Sequence, residues 1–257
     1  MTSRTELQPY ERLRDLGNGL HVLDGDWYDT PFRRRMTVMR LTSGQLAIHS
    51  AIALKDEDYA WIEKLGEPRW ILVPNRFHCS EAHVYRERYP TAHVLSSRLA
   101  IPEVARQCTV DGTLPEALPL PARSEIECIE PAGQRFLDEC VFLHRPSRTL
   151  VLTDLAFNLA PARGFVQKLL YKLNRLDRGF GPSRIFETVF VRDKAEFRAS
   201  LQRIVSEWDF DRIIVNHGEI VESGGKALLA RAFGLHAGAK PTEVPKLKAE
   251  RSRIPPH

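Results

Sequence analysis

Long apolar runs are missing from this chain of 257 residues. None approaches the ~20 residues that a membrane-spanning helix needs, which excludes a helical spanning protein. Cysteine is scarce. Cys79, Cys108, Cys128 and Cys140 are scattered, with no CxxC pair. That argues against a zinc knuckle and against a disulfide scaffold. The opening MTSRTELQPYERLRDL is charged and has no apolar h-region, so no secretory signal is expected. A reduced, cytoplasmic setting is the expectation. Charge of one sign is also lacking: 37 basic against 33 acidic side chains leave +4. Beyond the stretch 155–185 and the tail, no basic stripe with interleaved aromatics runs along the chain, so nucleic acid is not the expected partner. What is present is globular: 43% hydrophobic and 27% charged residues, enough for a sizeable core.

The first third is rich in strand signals. MTVMRL and QLAIHSA flank Ser43-Gly44, a hairpin pattern. DYAWIEKLG predicts a helix closed by Gly66. ILV at 71–73, SEAHVYRERY and HVLSS at 93–97 predict a βαβ unit. Residues 102–123 carry four prolines and are expected to be mostly loop. ECVFLH and RTLVLTD predict two strands joined by the turn Arg145-Pro146-Ser147. Within 155–185, Phe165, Leu169, Leu170, Leu173 and Leu176 recur at helical spacing, with Lys168, Lys172 and Arg175 between them. Asp193 with Glu196 three residues later predicts a capped helix, and IIV at 213–215 a buried strand. The expected organisation is one domain over 1–236 with a helical insert at about 155–185. A basic, disordered tail is expected over 237–257.

Three apolar strands run into polar residues. ILV leads to Asn75-Arg76-Phe77-His78, LVL to Thr153-Asp154, and IIV to Asn216-His217-Gly218. Ligands of α/β proteins bind beyond the carboxyl ends of strands, where a rigid strand aims the next side chain into a shared crevice. Imidazole nitrogen and carboxylate oxygen are donors for zinc or iron. His78, Asp154 and His217 are therefore the candidate metal ligands. Cys79 is a further donor type or a small buried residue. Asn75 either orients a carbonyl or water through its amide or caps its loop. His144 ends ECVFLH and is either an auxiliary base or a hairpin-end histidine.

The order of these pieces resembles the metallo-β-lactamase superfamily, an αββα sandwich with its metal site at one sheet edge. The resemblance spans most of residues 17–235, with eroded motifs. The family's Thr-His-x-His-x-Asp-His aligns without gaps on Pro74 to Ser80. There Asn75 and Phe77 replace the first two histidines, Cys79 the aspartate and Ser80 the last histidine. A shift of one residue puts His78 on the second histidine. The family's Pro-Gly-His turn corresponds to Glu130-Pro131-Ala132-Gly133-Gln134, without histidine. Its later aspartate matches Asp154, and its final His-Gly matches His217-Gly218. The strings PNRFH, FLHRPSRTLVLTDLAFN and VNHGE resemble a divergent branch of the superfamily, a domain of unknown function. That branch implies the fold and no particular reaction.

The resemblance implies a metal-dependent hydrolase acting on a small-molecule ester, amide or phosphoester. Too few donors remain for two ions, so one is expected: zinc, with iron or manganese as alternatives. Two histidines and a carboxylate would also suit a non-haem iron redox centre. The alternative is a non-catalytic binding module, in which the basic amphipathic stretch 163–178 meets a membrane surface or a protein partner.

Overall fold

A computed structural model describes residues 7–27, 30 and 32–236. The tail expected over 237–257 lies outside the described residues. Among the described residues, eleven strands form two sheets. The larger sheet holds β1 (Arg14–Asp15), β2 (Leu20–Asp26), β3 (Arg33–Arg40), β4 (Gln45–His49), β5 (Glu67–Val73), β6 (His93–Ser96) and β7 (Gly112–Thr113), in that spatial order. β1 to β4 are antiparallel, whereas β4 to β7 are parallel. The smaller sheet contains β8 (Ile126–Ile129), β9 (Val141–His144), β10 (Thr149–Val151) and β11 (Arg212–Ile214), in the order β11-β10-β9-β8. β10 and β11 are parallel, and β9 runs against β10.

Side chains alternate between strand faces, and here both faces are covered. Trp70 and Leu72 of β5 pack into the layer between the sheets, while Ile71 and Val73 pack outward. Phe142 and Val151 of the smaller sheet fill the same middle layer, and Leu143 and Leu150 face outward. Helices close the outer layers. α1 (Ala60–Glu63), α2 (Ala82–Arg88) and α3 (Ile101–Ala105) flank the larger sheet. α4 (Leu120–Arg123) precedes β8, α5 (Phe165–Asn174) follows β10, and α6 (Lys194–Glu207) and α7 (Gly225–Ala232) cover the smaller sheet. The result is the expected αββα sandwich. It explains why the central strands read as unbroken apolar triplets. Each fully buried Leu, Ile or Val there contributes roughly 1.5–3 kcal/mol.

The hairpin at Ser43-Gly44 forms, with Gly44 at φ +83°. Asp193 caps α6, its Oδ1 accepting from the Ala195 and Glu196 amides at 2.9 and 3.0 Å. Residues 102–123 depart from expectation. Short helices α3 and α4 and the strand β7 break up the loop, because Pro102 and Pro121 fall in first helical turns, where a missing N–H costs nothing. α5 is shorter than the periodicity predicted, since Arg175 adopts a left-handed conformation (φ 61°) and ends it. No described helix is long and apolar enough to cross a membrane.

Candidate functional site

β5, β10 and β11 all end at one edge of the sandwich, and their following residues converge there. Asp154 sits between two imidazoles. Its Oδ2 lies 3.2 Å from His78 Nε2, and its Oδ1 lies 3.4 Å from His217 Nε2. One donor atom from each of the three falls within 4.8 Å of the others. Both histidines are buried.

Each ring is held from behind. His217 Nδ1 donates to the Arg33 carbonyl at 2.6 Å, which fixes the ring with Nε2 facing Asp154. His78 Nδ1 meets Ser50 Oγ at 3.1 Å, and that hydroxyl accepts from Asn216 Nδ2 at 2.9 Å. Asn216 also donates to the Arg35 carbonyl and accepts from the Arg35 amide, tying the end of β11 to β3. Trp27 stacks on both rings, with centroids 5.8 Å from His78 and 5.4 Å from His217. Gly218 makes the turn after His217 close. At φ +112°, its missing Cβ would come within 2.1 Å of the Asn158 carbonyl oxygen.

Electrostatics follow from burial. Burial works to raise the Asp154 carboxyl, but the two histidines outweigh it and hold the group well below the usual carboxylate range. His78 is lowered because burial disfavours its charged form more than Asp154 favours it. Behind Asp154 lies Glu139, fully buried, whose two oxygens accept from the Thr153 and Asp154 amides at 2.7 and 2.8 Å. Burial and the Asp154 charge push the Glu139 carboxyl up to about 8, against the pull of those two donors.

For Asn75 and for His144 the geometry favours the second of the two readings. Both Asn75 amide hydrogens are committed, to Thr153 Oγ1 and Asp154 Oδ2 at 2.9 Å each. Its Oδ1 accepts from the Phe77 and His78 amides. No donor remains for a carbonyl or water, so Asn75 caps its loop and orients Asp154. His144 is not brought to the cluster. It pairs with Thr149 at the start of β10, whereas Asp154 follows the other end of that strand. Its Nδ1 meets Ser147 Oγ at 2.7 Å. Cys79 donates to the Arg76 carbonyl, and burial, with Glu103 nearby, raises its thiol. Among the described residues it takes no part in the cluster.

Trp27, Ser50 and Glu139 were missed in the sequence. Only Glu139 left a signal, an acid leading directly into a buried strand. His49 was missed too. It is fully buried against Phe142, and neither ring nitrogen has a hydrogen-bond partner.

A cleft of ≈ 360 Å³ opens over Asp154 and His217. Trp27, Phe32, Phe77, Phe157 and Tyr171 line much of it. Its described lining contains no Lys or Arg.

Solved structures with this architecture settle the fold. DIM-1 metallo-β-lactamase superposes with a TM-score of 0.60 at 16% identity, covering 90% of this chain and 98% of that one. The chain has the metallo-β-lactamase fold. A metallo-β-lactamase from Pontibacter korlensis, 12% identical, gives 0.57 over 88% of this chain and 98% of its own. FIM-1 from Pseudomonas aeruginosa, in its mono-zinc form, gives 0.58 at 10% identity, over 89% of this chain and 96% of its own. No protein-family model matches the sequence, and no curated protein does. The three side chains of the cluster follow the carboxyl ends of β5, β10 and β11.

The donor set fits one cation. A tetrahedral ion with ligands at about 2.1 Å holds neighbouring donors about 3.4 Å apart. The separations at Asp154, 3.2 Å from Oδ2 to His78 and 3.4 Å from Oδ1 to His217, are of that size for each carboxylate oxygen in turn, and one donor atom from each of the three residues lies within 4.8 Å of the others. His78 Nε2 is buried and makes no hydrogen bond, despite its closeness to Asp154. A buried imidazole nitrogen without a hydrogen bond, beside a carboxylate and with its ring fixed by an outer partner, is the preparation a metal ligand needs.

Proposed function

We propose that this protein is a metal-dependent hydrolase with a reduced, mononuclear site, in which His78, Asp154 and His217 hold the ion. The observation that carries this reading is Asp154 poised between two imidazoles whose outer nitrogens are both engaged. Zinc suits two nitrogens and one oxygen, leaving a fourth position for water. Iron and manganese use the same donors. The mono-zinc form of FIM-1, a protein of the same fold, supports a single-ion reading. When bound, such an ion polarises a carbonyl and brings the pKa of its water to about 7.

The chain's own residues do the rest. Asn75 donates to the Asp154 carboxylate, and Glu139 holds the backbone amide of the same residue. Trp27 covers both rings and excludes water from them. The aromatic cleft receives the substrate. Its lining supplies no cation to balance a phosphate, which favours an uncharged ester or amide with an apolar group over a phosphoester.

The test is hydrolysis of p-nitrophenyl acyl esters and of bis-p-nitrophenyl phosphate by metal-loaded protein. Ester turnover that exceeds phosphodiester turnover and disappears in Asp154→Ala is expected. Ester turnover unchanged in Asp154→Ala would contradict the reading. A second reading, a non-catalytic module acting through residues 163–178, draws on the exposure of α5. It predicts no turnover of any of these substrates with any of the three metals.

A further inference from the structure

α5 is inside out for a helix of a water-soluble protein. Phe165, Val166, Leu169, Leu170 and Leu173 fall within one arc of the helix, and all are exposed. Phe165 is 81% exposed, Val166 69% and Leu173 54%. The one buried side chain of α5 is Tyr171, on the opposite face. Such a face costs solvation in water, and contiguous exposed apolar patches mark interaction sites.

Charge narrows the partner. Residues 161–190 contain six Lys and Arg against Asp177 and Glu187, an excess of four. That equals the excess of the whole chain, so the rest is neutral. Lys168 and Lys172 lie beside the apolar arc and are exposed. Five apolar side chains with cations at their border match a bilayer surface carrying anionic headgroups. The patch also reaches the cleft. Leu170 and Ile185 are about half exposed and line the cavity above Asp154.

We infer that α5 seats the protein on an anionic membrane surface, with the mouth of the aromatic cleft turned towards the lipid. Docking rests on the exposed face and its charge alone, so it stands or falls separately from the metal site. An amphiphile could then pass from bilayer to cleft without crossing water.

The experiment is co-sedimentation of the full, untagged chain with phosphatidylcholine vesicles, with and without phosphatidylglycerol. Size-exclusion chromatography without lipid runs alongside. The expected result is a monomer that binds the anionic vesicles at least about tenfold more tightly than the neutral ones, and less tightly as salt rises. The double variant Leu169→Ser, Leu173→Ser is expected to lose this binding with an unchanged thermal transition, because both side chains are exposed. Lys168→Gln with Lys172→Gln is expected to lose the preference for anionic lipid. A monomer that ignores anionic vesicles overturns the inference. So does a dimer that the leucine variant dissolves and that never binds vesicles, which would assign the face to a second copy.

Discussion

The two ends of β10 each have a buried histidine nearby, and they are built for different work. At the start of the strand, His144 turns its Nδ1 to Ser147, and Ser147 in turn bonds Thr149. These partners lie within six residues of sequence, so one hairpin serves its own polar groups. At the other end, Asp154 gathers His78 from β5, His217 from β11, Asn75 and the amide-bound Glu139. Those partners are 15 to 79 residues away in sequence. Strand direction makes the difference. β5, β10 and β11 deliver their carboxyl ends to one edge, while β9 runs against β10 and delivers His144 to the other.

The largest expected effect is at the gathered end. Asp154→Ala should abolish metal binding and lower ester turnover by about 10³-fold or more, because it removes the only carboxylate among the three donors. His144→Gln should change neither. Asn75→Ala should weaken metal affinity about 10–100-fold, measured by chelator competition, since it frees one side of Asp154. An unchanged affinity would mean that Asn75 serves only its loop.

Acid should find two buried histidines outside the cluster, His144 and His49. Burial lowers His144 to about 4 and His49 to about 3. Both are therefore neutral in the fold, and the unfolded chain takes up the protons first. Their stabilisation is complete above about pH 6.5 and is lost as pH falls towards those values. At pH 5 each should have cost about 2 kcal/mol relative to pH 7. Urea unfolding at both pH values measures it, and His144→Phe should remove its share. A pH difference unaltered by His144→Phe would contradict this. The smallest effect is Ser147→Ala, about 1 kcal/mol of stability with metal content unchanged.

Much of this was legible in the sequence. ILV, LVL and IIV mark strands buried on both faces, and the polar residue after each lies at the site edge. The same signal misplaces His144, because an apolar run ending in a polar residue does not reveal which way the strand runs. Asn75 was legible as a polar group at that edge but not as a support for Asp154, since its donors are assigned only when Thr153 comes into reach. Trp27 and Ser50 enter from loops or strand ends whose approach depends on the packing of both sheets. The apolar spacing of α5 was readable. That its apolar arc faces outward was not, because periodicity reports a stripe and not its neighbour.

Whether His78, Asp154 and His217 hold an ion is decided by the metal content of untagged protein, measured by elemental mass spectrometry. Wild type, Asp154→Ala, His217→Ala and His144→Gln would be compared after loading with zinc, iron or manganese. About one ion per chain is expected in wild type and His144→Gln, and none in the other two. Wild-type protein without stoichiometric metal, or Asp154→Ala that keeps it, would mean that these three residues do not hold an ion.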